Sequence, residues 1–365
     1  MRDIVNRSMF GSKGRDLQKC MKLAKSGDAV KQNELGVMYG SGQGVPRDYN
    51  EAVKWYRLAA EQGYADAQLN LAIMYMRGDG TPQSYEEALK WYRLAAEQGN
   101  ANAQNDLGTI YDNGVGVPQS CEEALKWYRL AAERGNAMAQ SNLGIMYLKG
   151  SGVPRNNEEA ARWFRRAAEQ GRADAQFNLG LMYEDGAGVP RNNEEAARWF
   201  RRAAEQGFAT AQTQLGVMYM NGFGVSLSIE EAFKWFRLAA ERGEVLAQIN
   251  IGAMYENGVD IPQNYKEAVK WFKLAAEQGN ALAQSHLKWM YNEGKDIPRS
   301  YEEALGRCRV AAEHGDAFAQ NILGAMYEKG EGVPQNKEEA LKWYTSAAEQ
   351  GNASAKRNLD ALMKK

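Results

Sequence analysis

Reactive side chains are scarce in this sequence. Three cysteines and two histidines stand among 365 residues. Cys20, Cys121 and Cys308 are odd in number and out of step with the repeat described below, which argues against one disulfide per unit and fits a reducing compartment. Cys308 and His314 lie six residues apart, which is no metal-ligand spacing. No apolar run approaches the roughly 18 residues a membrane helix needs. The opening stretch, MRDIVNRSMFGSKGRDLQ, has no apolar core of the signal-peptide kind. A cytoplasmic protein is therefore expected, or a periplasmic or secreted one whose export signal has been removed. Neither charge dominates: 45 basic and 46 acidic side chains leave a net charge of −1, so no global field favours nucleic acid or an anionic membrane.

Proline is also scarce, and its placement is informative. All eight prolines occupy one position of a 36-residue period: Pro46, Pro82, Pro118, Pro154, Pro190, Pro262, Pro298 and Pro334, with Ser226 the exception. A leucine recurs in the same way from Leu35 and Leu71 through Leu323 and Leu359, with Ile251 filling the one gap. In the unit Ala65 to Asn100, Ala67, Leu71, Met74 and Tyr75 fall on one face of a helix. Ala88, Trp91, Tyr92, Ala95 and Ala96 repeat the pattern. Between them Gly78 to Pro82 cannot continue a helix, and Gly99 stands where a helix C-cap prefers glycine. Each unit is thus two antiparallel helices, too small to bury its apolar face without neighbours. Gly36, Gly108, Gly144 and their equivalents read as notches that let helices approach closely.

This leucine–glycine–tyrosine register, followed by G-x-G-V-P, EEA, W-[YF] and AAEQG, closely resembles the Sel-one-like repeat family, α/α solenoids related to tetratricopeptide repeats. The resemblance covers nine units and implies an all-α fold, a right-handed α/α solenoid superhelix of nine 36-residue helix-turn-helix repeats with half-repeat caps, and one elongated domain. Residues 1–28 then form a disordered start and an N-terminal capping helix, 29–352 the repeats, and 353–365 a C-terminal capping helix. Arg155 to Gly171 and Arg191 to Gly207 are identical over seventeen residues, a mark of recent duplication or relaxation toward a consensus. Solenoids of this family mostly serve as adaptor and scaffold surfaces, and many of its members are exported.

In such an array the invariant columns build the core, so the variable ones inform on function. Positions equivalent to 66, 69, 73 and 76 form a stripe along the first helix of each unit, away from the Leu71–Tyr75 face. The tetratricopeptide resemblance places this stripe on the concave surface. It carries Leu69, Ile73, Met76, Ile145, Leu148, Phe177, Leu181, Val217, Met220 and Ile249, with Asp66, Asp112, Asp174, Glu184, Glu256 and Glu328 beside them. A partner protein segment with apolar anchors and some basic residues would suit it. The eighth unit departs from the pattern, with Arg307 and Cys308 in place of the aromatic pair, Lys288 in place of the notch glycine, and a new Trp289. Trp289 and Phe318 are expected to anchor part of a partner, the alternative being that Trp289 fills space vacated at 307.

The second helices carry a basic row, including Lys54, Arg57, Lys90, Arg93, Arg165 and Arg201, with glutamates at helical spacing as in Glu86–Lys90 and Arg93–Glu97. It reads as a solvated outer face; no phosphate-cradling motif or paired aromatics accompany it, so nucleic acid is not expected. Ser285-x-x-Lys288 matches one element of β-lactam-binding enzymes without the others. No enzyme, cofactor or metal is expected. The reading is a scaffold or adaptor that holds another protein's segment. The alternatives are an envelope or secretory assembly factor, or an inhibitor or immunity partner of a secreted toxin.

Overall fold

A computed structural model describes residues 17–258, 261–292, 308–330 and 333–364. The start to Lys13 and Arg307 lie outside the described residues. All regular structure among the described residues is helical, and the chain divides into two compact units, Met1–Arg191 and Asn192–Lys365. Unit 1 holds α1 (17–25), α2 (Ala29–Ser41), α3 (Tyr49–Glu61), α4 (Ala65–Arg77), α5 (Tyr85–Glu97), α6 (Ala101–Asn113), α7 (Cys121–Glu133), α8 (Ala137–Lys149), α9 (Asn157–Glu169) and α10 (Ala173–Asp185). Unit 2 holds α11 (Asn193–Glu205), α12 (Ala209–Asn221), α13 (Ile229–Ala240), α14 (Val245–Asn257), α15 (Tyr265–Glu277), α16 (Ala281–Asn292), α17 (described over 308–313), α18 (Ala317–Lys329), α19 (Lys337–Glu349) and α20 (Ala353–Met363).

Local chemistry sets these boundaries. The first helix α4 stops at Gly78, whose left-handed backbone (φ 77°) turns its N–H onto Met74 O. In the same turn Gly80 has no room for a side chain, because a Cβ would lie 2.3 Å from the Tyr49 carbonyl of the preceding repeat. The second helix α5 starts at Ser84, whose hydroxyl accepts the Glu87 N–H at 3.3 Å. It ends at Gln98, one residue before Gly99, and the Asn100 N–H closes the turn on Ala95 O.

Packing follows the repeated columns. Leu35, Leu71, Leu107, Leu143 and Leu179 in unit 1, and Leu215, Ile251, Leu287 and Leu323 in unit 2, are fully buried. The glycine notches are real and filled by an aromatic ring from the following helix. A Cβ added at Gly36, Gly108 or Gly144 would lie 2.5–2.8 Å from the ring of Tyr56, Tyr128 or Phe164. Gly216, Gly252 and Gly324 stand in the same relation to Phe236, Phe272 and Tyr344.

A glutamine column locks successive pairs together. Gln68 Nε2 donates to Ala60 O at 3.1 Å at the end of the preceding second helix, while its Oε1 accepts Gln98 Nε2 at 2.6 Å. Gln140 does the same with Ala132 and Gln170, Gln248 with Ala240 and Gln278, and Gln320 with Ala312 and Gln350. These buried amides satisfy helix-end carbonyls that packing has removed from water.

Candidate functional site: the first-helix stripe

The stripe divides by column. Leu69 and Ile249 are core residues, 8% and 7% exposed, and so are not available to a partner. Their column lies on the seam between first helices, where Asn70 Nδ2 meets Asn33 Oδ1 at 2.9 Å and Asn142 Nδ2 meets Asn105 Oδ1 at 3.2 Å. The helical period alone does not distinguish a seam position from an open one. Phe318 is also buried, packed with Leu287 and Met290. The surface roles expected of these three residues are therefore corrected.

The remaining stripe residues keep an accessible edge. Ile73, Met76, Ile145, Leu148, Phe177 and Leu181 in unit 1 are half-buried, as are Val217 and Met220 in unit 2. Ile73 and Met76 rest on the Leu107 core, and Val217 and Met220 on the Phe236 core. Trp289 is 44% exposed and shares its face of α16 with exposed Leu282. Sequence reasoning missed Val30 and Val37 on α2, both exposed. Extending the same columns one period toward the N-terminus would have found them.

The acidic residues differ in state. Asp66 accepts Asn100 Nδ2 at 2.7 Å. Burial tends to raise the Asp174 pKa, but hydrogen bonds from Arg172 and Ser141 outweigh it and hold the carboxyl below its usual range. Glu184 is pushed upward by burial, with Asp185 adding to the effect. Glu256 does not line the surface: it is 8% exposed and pairs with His286 Nδ1 at 2.8 Å. Glu328 accepts the Tyr344 hydroxyl at 2.8 Å.

The basic row of the second helices is paired, though not as expected. Lys90 approaches Glu87, three residues back, at 3.7 Å instead of Glu86. Arg93 reaches past its own helix to the Tyr111 hydroxyl at 2.9 Å instead of Glu97. Arg57–Tyr75, Arg129–Tyr147 and Arg165–Tyr183 repeat that bond in unit 1, and Arg201–Tyr219 and Arg309–Tyr327 in unit 2. Several cations also lie over tryptophan rings, as Arg166 over Trp163 at 4.7 Å. An arginine column bonded to a tyrosine of the next first helix is a structural tie.

Ser285 Oγ donates to Ala281 O of its own helix at 2.9 Å, and Lys288 is exposed. Among the described residues no group of three or more His, Cys, Asp or Glu side chains is placed to hold a metal, and no helix is long and apolar enough to cross a membrane.

Helix pairs repeated at a fixed period, with notch, ring and glutamine columns in register, define an α/α solenoid repeat protein. The Sel1 repeat matches residues 32–64, 65–100, 101–136, 137–171, 173–208, 209–244, 245–280, 281–316 and 317–352. The chain belongs to the Sel1 repeat family. Among solved structures it is similar to c5321, a protective antigen present in uropathogenic Escherichia coli strains, at 34% identity over 94% of this chain and 81% of that one (TM-score 0.73). It is also similar to a Sel1 repeat protein from Oxalobacter formigenes, at 34% identity over 96% of this chain and 91% of that one (TM-score 0.61). An immunity protein from Pseudomonas aeruginosa matches at 21% identity over 58% of this chain and 81% of that one, and its TM-score of 0.38 carries no argument. No curated protein matches the chain.

Proposed function

We propose that the protein is a non-enzymatic scaffold that holds a segment of another protein on the first-helix stripe. One observation carries this reading. In unit 1, Ile73, Met76, Ile145, Leu148 and Leu181 keep accessible apolar edges, and no lysine or arginine occupies the equivalents of positions 66, 69, 73 and 76 there. Accessible apolar side chains recurring along a ridge are the usual mark of an interaction surface. The arginines tied to tyrosines and the lysines paired with glutamates leave the second helices less suited to recognition.

The test is a capture from native host lysate with wild type and an Ile145→Glu, Leu181→Lys variant of unchanged circular dichroism. A protein retained by wild type and lost by the variant is the expected outcome. Equal recovery by both would move the site off the stripe. A second reading, an exported factor in envelope assembly, draws on the 34% identity to a protective antigen; cell fractionation separates the two, since recovery in the cytoplasm alone would remove the second.

A further inference from the structure

From α4 to α10 in unit 1, after Gly40 on α2, the column of position 76 alternates in character: Met76 on α4, Asp112 on α6, Leu148 on α8 and Glu184 on α10. All four are half-buried, so each presents only part of its side chain. The neighbouring column reads Ile73, Thr109, Ile145 and Leu181, which makes α4 and α8 wholly apolar at this level and gives α6 and α10 one carboxyl each. Successive first helices are joined along the seam, as by Asn142 to Asn105 and Asn136 to Asn102. Helices packed side by side lie about 8–10 Å apart. An extended chain advances about 3.3 Å per residue, so three residues carry it from one helix to the next.

We infer that unit 1 takes an extended peptide in which apolar and basic residues alternate every third position, apolar-x-x-basic-x-x-apolar-x-x-basic, each apolar residue against α4 or α8 and each basic one beside Asp112 or Glu184. The inference rests on the scaffold reading and specifies its occupant. Charge complementarity sets the sign, since the four stripe columns of unit 1 hold carboxylates and no cation. Burial and Asp185 hold the Glu184 carboxyl above its ordinary range against the lowering effect of Arg191, and an arriving guanidinium would add to that lowering. The apolar contacts supply the bulk of the affinity and the two ion pairs the register.

The experiment is fluorescence anisotropy on the full chain with a labelled twelve-residue peptide bearing leucine at positions 1 and 7, arginine at 4 and 10, and serine elsewhere. One control permutes the same residues to a spacing of two; another replaces arginine with glutamate. The patterned peptide is expected to bind at least about tenfold more tightly than either control, a factor that two partly exposed ion pairs can supply. Asp112→Lys with Glu184→Lys should reverse the preference between arginine and glutamate peptides. Should that variant misfold, Asp112→Asn with Glu184→Gln should abolish the preference instead. Equal binding of patterned and permuted peptides overturns the register, and binding of neither overturns the inference. If the lysate partner is still captured in that last case, and lost on Ile145→Glu, Leu181→Lys, the scaffold reading survives without it.

Discussion

The seventh and eighth repeats adjoin in unit 2 and treat one packing problem differently. In the seventh, Gly252 on α14 leaves a notch that the Phe272 ring of α15 fills completely, with no accessible surface left on the ring. In the eighth, Lys288 stands in the notch column and Cys308 in the ring column. Lys288 is exposed, and Cys308 turns its thiol onto Ala319 O at 3.5 Å. Burial, with Asp316 adding, pushes that thiol up to about 11. Notch and ring are a matched pair, and losing one removes the reason for the other. The glutamine column changes with them, because Gln284 donates to Ser354 on α20 at 2.7 Å, 70 residues away. His286 then stacks on Phe272 at 4.6 Å and reaches Glu256, where the apolar Ile249 offers no acceptor on the seam.

The largest effect should come from removing the seventh-repeat ring. Phe272→Ala is expected to cost about 3–5 kcal/mol, against less than about 1.5 kcal/mol for Cys308→Ala. Urea unfolding followed by circular dichroism checks both, and equal losses would break the contrast between the repeats. Filling the notch comes next. Gly252→Val should cost about 1–3 kcal/mol, because its Cβ would fall 2.8 Å from the Phe272 ring, whereas Lys288→Val should stay within about 0.5 kcal/mol. Thermal melts of the two variants would test this, and similar midpoints would show that the eighth notch is occupied after all.

The smallest effect concerns the column of Asn70 and His286, which in the third repeat is Asp106. Burial raises the Asp106 carboxyl above its usual value, with a bond from Asn105 partly opposing. A folded pKa above the unfolded one means that the unfolded chain ionises first. Stability therefore falls as pH rises from the unfolded pKa through the folded one. Asp106→Asn should then gain about 1 kcal/mol near neutral pH. The gain should shrink as pH drops below the ordinary carboxylate range. A gain that is constant with pH would assign the effect to packing rather than charge.

Much of the fold was legible because one period writes the same instruction many times. Leu71, Gly108 and Tyr128 could be assigned to the core from their columns, and the structure buries all three. The site was less legible. Leu69 and Ile73 are both apolar and four residues apart on α4, yet one meets a neighbouring helix and the other keeps an open edge. Helical spacing names a face, while the lateral neighbour decides which part of it is covered. The arginine pairings failed for a related reason: Glu97 is the nearer residue in sequence, but Tyr111 is presented by the next helix at bonding distance. The glutamine column was visible as a recurrence, and its function was not, because its acceptor is a backbone carbonyl that no side-chain pattern announces.

Those glutamine and arginine ties have a consequence for how such a chain can change length. In unit 1 they join residues 8, 18 or 30 positions apart, and the acceptors recur every period, although in the third repeat Arg134 replaces the glutamine donor and leaves Gln104 Oε1 unmatched. Excising or duplicating one whole period brings each donor to an acceptor of the same kind, whereas a change of any other length breaks the ties that span it. The gene can thus gain or lose modules by recombination between near-identical segments, such as Arg155 to Gly171 and Arg191 to Gly207, without designing a new junction. The number of repeats is, for this architecture, a heritable quantity that varies in whole steps.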